Sequence, residues 1–96
     1  MSSWHTQEVD ELFKAITKLE SVEECYKFFE DACTINEILG MAQRLKAAKM
    51  LLGGANYNDI SAATGMSSAT ISRVNKCIEY GNVGYKIVLD RMEENK

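Results

Sequence analysis

Proline is absent from this chain of 96 residues, and tryptophan and histidine occur once each. With no proline, no glycine-rich tract and 46% hydrophobic residues, the composition is globular rather than disordered. Cys25, Cys33 and Cys77 are odd in number and lack C-x-x-C spacing, which suggests neither a disulfide framework nor a zinc site. They are expected to be reduced, buried thiols. A single histidine, His5, offers no metal cluster and no nucleophile–base pair, so an enzyme is not expected. No apolar run approaches the roughly 20 residues that span a bilayer, and no basic, apolar leader opens the chain. These absences predict a soluble, cytoplasmic protein.

Five Met, four Tyr and three Phe supply bulk. A chain this short leaves much of its surface exposed when folded, so a dimer is expected to cover the excess. The net charge of −3 is unevenly spread. Residues 1–42 hold three Lys against nine acids, whereas residues 43–77 hold Arg44, Lys46, Lys49, Arg73 and Lys76 against Asp59 alone. Local field, not total charge, governs attraction to phosphate. The middle of the chain is where an anionic partner would be met.

Periodicity and capping residues predict an all-α fold of about six helices, and no stretch alternates with period two. Val9, Leu12, Phe13, Ile16 and Leu19 mark a first helix over about residues 6–20. Ser21 with Glu24, and Thr34 with Glu37, have the spacing of capping boxes and open the second and third helices. The third carries Ile38, Leu39, Ala42, Leu45, Ala48 and Leu52, and ends at Gly53-Gly54. Val83, Ile87, Val88 and Met92 mark a last helix over about residues 82–93. One domain is expected, with dimerisation helices over about 1–54.

Between these elements lies "NDISAATGMSSATISRV", residues 58–74, whose sizeable apolar residues are only Ile60, Met66, Ile71 and Val74. Asn56 or Asn58 can cap a short helix that turns Ile60 inward. Gly65 supplies the positive φ of a tight turn, Met66 packs beneath it, and Ser67 or Ser68 caps the next helix. Ile71, Val74 and Ile78 then form a buried face. Ser68, Ala69, Ser72, Arg73 and Lys76 look outward. This is a helix-turn-helix pattern over about residues 56–79, although Thr64 stands where a larger apolar residue is usual. Hydroxyls and cations suit phosphates and base edges, so Ser67, Ser68, Ala69, Thr70, Ser72, Arg73 and Lys76 are the candidate DNA-binding residues.

"RLKAAKMLLGG", residues 44–54, together with "ISAATGMSSATISRV" resembles the centre of the Trp repressor. The whole chain resembles the YerC/YecD-like branch of that superfamily. The likeness to the repressor itself spans about residues 38–76, and "GMSSATISRVNK" is its most specific block. The resemblance implies an intertwined homodimer whose N-terminal helices share a core. It also implies two helix-turn-helix units that reach successive major grooves of a two-fold operator. A recognition surface of Ser, Ala and Thr lacks long base-reading side chains. That suits contacts mediated by water, for which this family is the standard example.

The resemblance also matches Arg44 and Arg73 to two arginines that sandwich the corepressor's indole. Val74 stands where the family has glycine beside that ring, which argues against tryptophan as the effector and leaves room for a smaller anion. Phosphate contact or an exposed ion pair is the other reading of Arg44 and Arg73. Trp4 is expected to anchor a dimer core. Two function classes follow: a sequence-specific transcriptional regulator, probed by salt-sensitive DNA binding, or a helical dimerisation module whose helix-turn-helix meets protein.

Overall fold

The computed structural model describes residues 3–94, which form six helices and no strand. These are α1 (Gln7–Ile16), α2 (Val22–Ala32), α3 (Ile35–Leu52), α4 (Tyr57–Thr64), α5 (Ser68–Tyr80) and α6 (Gly84–Glu94). The fold is all-α, as periodicity indicated. The chain divides into two units, Met1–Ile35 and Asn36–Lys96.

In the first unit, side chains set the helix ends. The Thr6 hydroxyl accepts the Val9 amide at 3.2 Å and starts α1. The helix ends sooner than the apolar spacing suggests. The Thr17 hydroxyl donates to the Lys14 carbonyl at 2.7 Å. The amides of Lys18 and Leu19 then reach back only three residues, to Ala15 and Ile16. A hydroxyl competing for helix carbonyls and a tightened last turn are ordinary ways to finish a helix. Ser21 caps α2 by accepting the Glu24 amide at 3.1 Å, while the Glu24 carboxylate accepts the Glu20 amide at 2.9 Å. The box thus closes one residue further back than the simple motif.

Neither α1 nor α2 contains a buried residue in the single chain. Phe13, Val22 and Tyr26 are exposed although they sit at helix-core spacing. The cysteines depart from expectation: Cys25 and Cys77 are exposed and Cys33 is half-buried.

The second unit holds the core: Ala47, Ala48, Ile60, Met66, Ile71 and Val74. Met50, Leu51, Tyr57, Ile78, Tyr85 and Leu89 pack around it. Alanines at the centre of α3 let the neighbouring helices approach closely, while Leu39 and Leu52 of the expected apolar stripe remain exposed. Helix α3 therefore has two apolar sides, and a single chain covers only one. Helix α6 packs through Tyr85 and Leu89, one turn apart, whereas Ile87, Val88 and Met92 are exposed. Val83 lies before α6, with φ at 57°, and its carbonyl accepts the Ile87 amide at 3.0 Å. A β-branched residue in this left-handed region is strained.

Candidate nucleic-acid interface

Asn56, rather than Asn58, caps α4, its side-chain oxygen accepting the Asp59 amide at 2.9 Å. Ile60 then turns wholly into the core. Gly65 closes the helix in the left-handed conformation, φ 75° and ψ 5°, and its amide donates to the Ser61 carbonyl at 2.8 Å. Glycine enters this region without a Cβ penalty. Met66 is buried beneath the turn. The turn is a Gly-Met-Ser link between two helices, as its sequence suggested.

Thr64 has a part in this turn that an apolar residue could not take. Its hydroxyl donates to the Ile60 carbonyl at 2.7 Å and accepts the Met66 amide at 3.1 Å. Its own carbonyl accepts the Gln43 side-chain amide of α3 at 3.2 Å. The motif spacing alone marked neither Thr64 nor Gln43 as functional. The signal available was the threonine itself, a polar residue at an expected apolar position.

Ser67 caps α5: its Oγ accepts the Thr70 amide at 3.3 Å and lies 3.1 Å from the Thr70 hydroxyl. These two candidate residues are thus engaged with each other at the start of the helix. Ile71 and Val74 are fully or almost fully buried, which fixes the opposite face. On that face Ser68, Ala69, Arg73 and Lys76 are exposed, while Ser72 and Thr70 are half-buried. Asn75 is half-buried and donates to the Glu79 carboxylate at 3.1 Å, a bond within α5.

The ion pairs among the described residues, Lys27–Glu23 and Lys86–Asp90, are i,i+4 pairs outside the basic segment. Arg44, Lys46, Lys49, Arg73 and Lys76 set five cations in a segment whose one acid is Asp59, a local field that favours an anionic partner. Arg44 is exposed on α3, beside Gln43. A shallow hollow of about 240 Å³ is lined by Lys49, Leu89, Met92 and Glu93, and involves neither Arg44 nor Arg73. The described residues hold no cluster of three or more His, Cys, Asp or Glu side chains suited to a metal ion, and no helix among them is long and apolar enough to cross a membrane.

A core gathered around a capped helix–glycine–helix unit, with a cationic, hydroxyl-bearing outer face, defines a helix-turn-helix protein. The family model described as Trp repressor protein matches residues 7–93. The uncharacterised protein YerC of Bacillus subtilis is 52% identical over 90 residues, covering 94% of this chain and 86% of YerC. The crystal structure of a TrpR-like protein from Eubacterium eligens is 53% identical, with a TM-score of 0.90, and covers 93% of this chain and 92% of its own. A candidate Trp repressor from Staphylococcus aureus is 49% identical with a TM-score of 0.89, covering 93% of this chain and 89% of its own. The chain belongs to the Trp repressor family, in its YerC-like branch.

Proposed function

We propose that the chain is a sequence-specific DNA-binding transcriptional regulator that acts as a homodimer, a repressor in the simplest case. The observation that carries this reading is the two-sidedness of α5. Ile71 and Val74 are held in the core, leaving Ser68, Ala69, Arg73 and Lys76 exposed together. Short side chains let the helix enter a major groove, and the cations meet the phosphates that flank it. Ser67 and Thr70 act first as the cap that sets the helix start, and half-buried Ser72 borders the contact face.

The homodimer is supported by the apolar side chains that one chain leaves uncovered on α1, α2 and the outer side of α3, including Leu12, Phe13, Val22, Leu39 and Leu52. Each large aliphatic or aromatic side chain removed from water contributes about 1.5–3 kcal/mol. Trp4, also exposed in the single chain, would join this shared core. Two copies then present two α5 helices to a two-fold operator in cytoplasmic DNA.

Arg44 and Arg73 contact phosphate in this account, and any effector they hold is a small anion. Val74 is 2% exposed and part of the core. Its side chain occupies the space that glycine would leave beside a flat ring. Genome-wide mapping of bound DNA tests the function directly. Recovery of a recurrent two-fold sequence is expected, and recovery of no sequence above background would favour a protein-binding helix-turn-helix instead.

A further inference from the structure

Gln43, Ala47 and Met50 share one face of α3 by their spacing. Ala47 is fully buried and Met50 packs against the same core as Ile60, Met66 and Ile71. Gln43 is exposed at the end of this face. From there its Nε2 reaches across 21 residues of sequence to donate to the Thr64 carbonyl at 3.2 Å. Thr64 is the last residue of α4, where backbone carbonyls have no partner inside the helix. The bonds that Thr64 makes to Ile60 and Met66, and Ser67 to Thr70, shape the turn itself. The Gln43 bond instead ties the turn to α3.

We propose that Gln43 is a positioning residue for DNA reading, whose side-chain amide fixes the angle at which α5 is presented relative to α3. The inference rests on the DNA-binding function proposed above. Contacts through Ala47 and Ala48 are apolar and non-directional, so they resist separation better than rotation. A hydrogen bond at the rim is directional and resists rotation. Ser72 and Arg73 lie about 6–8 Å along the 13-residue α5 from the turn, so a rotation of about 10° there moves them by about 1 Å. That displacement breaks a base-edge contact, while flexible Lys and Arg side chains follow a phosphate. Gln43 therefore governs discrimination between sequences more than attraction to DNA.

Gln43→Met keeps the length and neutrality of the side chain and removes the donor. The test compares its binding to the duplex most enriched from random DNA with binding to a scrambled duplex of the same composition. Affinity for the selected duplex is expected to fall about two- to tenfold, the range for one lost hydrogen bond, with the scrambled duplex and the salt slope unaffected. Gln43→Lys restores a donor and should restore the ratio of the two affinities, because its added charge favours both duplexes alike. Amide exchange at Gly65 and Met66 of the free protein should quicken in Gln43→Met only. An unchanged ratio, an equal loss on both duplexes, or a loss matched by a lowered unfolding midpoint would each overturn the proposal. Unchanged exchange at Gly65 and Met66 overturns the latch without any DNA measurement. An unmodified protein that binds neither duplex overturns the DNA reading instead, a result distinct from an unchanged ratio.

Discussion

The Thr64 hydroxyl accepts the Met66 amide at 3.1 Å, so the two residues bracket Gly65 and close the turn that aims α5. The same hydroxyl donates to the Ile60 carbonyl at 2.7 Å. Thr64→Val preserves the shape and removes both bonds, leaving the amide of Met66 without its partner beside the core. The expected loss is about 1–3 kcal/mol in chemical denaturation, the range for an unsatisfied polar group near the interior. Equal or higher stability in the valine variant would show that the hydroxyl is incidental.

Ser68 is exposed in the first turn of α5, where an acidic side chain suits the helix dipole. Ser68→Glu should therefore keep its helicity and thermal midpoint, yet lose DNA binding by setting an anion against phosphate. Lys76→Ala should weaken binding to all duplexes and flatten the salt slope by about one unit for each protomer's contact. Band-shift titration of both variants checks the face assigned to DNA; wild-type behaviour in both would place the contact elsewhere.

The uncovered apolar side chains make dimerisation measurable in two ways. The unfolding midpoint should rise with protein concentration, because association stabilises the folded chain by mass action. Leu39 is 55% exposed in the single chain, so Leu39→Asp should be mild for a monomer and disruptive for a dimer. Sedimentation of that variant is expected to show a monomeric or unfolded species, and an unchanged mass would remove Leu39 from the shared surface. By contrast, Ile60 is fully buried within one chain, and Ile60→Ala should cost about 2–5 kcal/mol.

Free L-tryptophan is expected to show no binding in isothermal titration at physiological concentrations and no effect on operator affinity. Val74 is the reason: it is almost wholly buried, and it stands where the resemblance to the Trp repressor implies a glycine beside the ring. Val74→Gly should regain weak binding while losing stability through the vacated core volume and a freer helix backbone. Micromolar binding by the unmodified chain would reassign Arg44 and Arg73 as corepressor ligands.

Much of this architecture was legible because caps and periodicity are local. Ser21, Gly65 and the buried pair Ile71 and Val74 stand where their spacing placed them. The choice between Asn56 and Asn58, or between Ser67 and Ser68, turned on one residue, and only backbone geometry decides it. Spacing alone could not say which side of α3 a single chain buries, because apolar residues occupy both; Ala47 rather than Leu39 meets the core. Val83 has the composition of a helix residue but lies in the strained turn before α6. Thr64 looked like a departure from the helix-turn-helix pattern, since its value is two hydrogen bonds that appear only once the turn is closed. The exposed Cys25 and Cys77 reflect how little core one chain of this length closes by itself.

Salt titration of binding to the selected duplex tests the central claim most directly. If Arg44, Arg73 and Lys76 of each of two protomers neutralise one phosphate apiece, log K should fall against log salt with a slope between about −5 and −6. That slope, together with a clear preference over the scrambled duplex, is the expected result. Binding that is absent, or indifferent both to salt and to sequence, would contradict a DNA-reading role for α5.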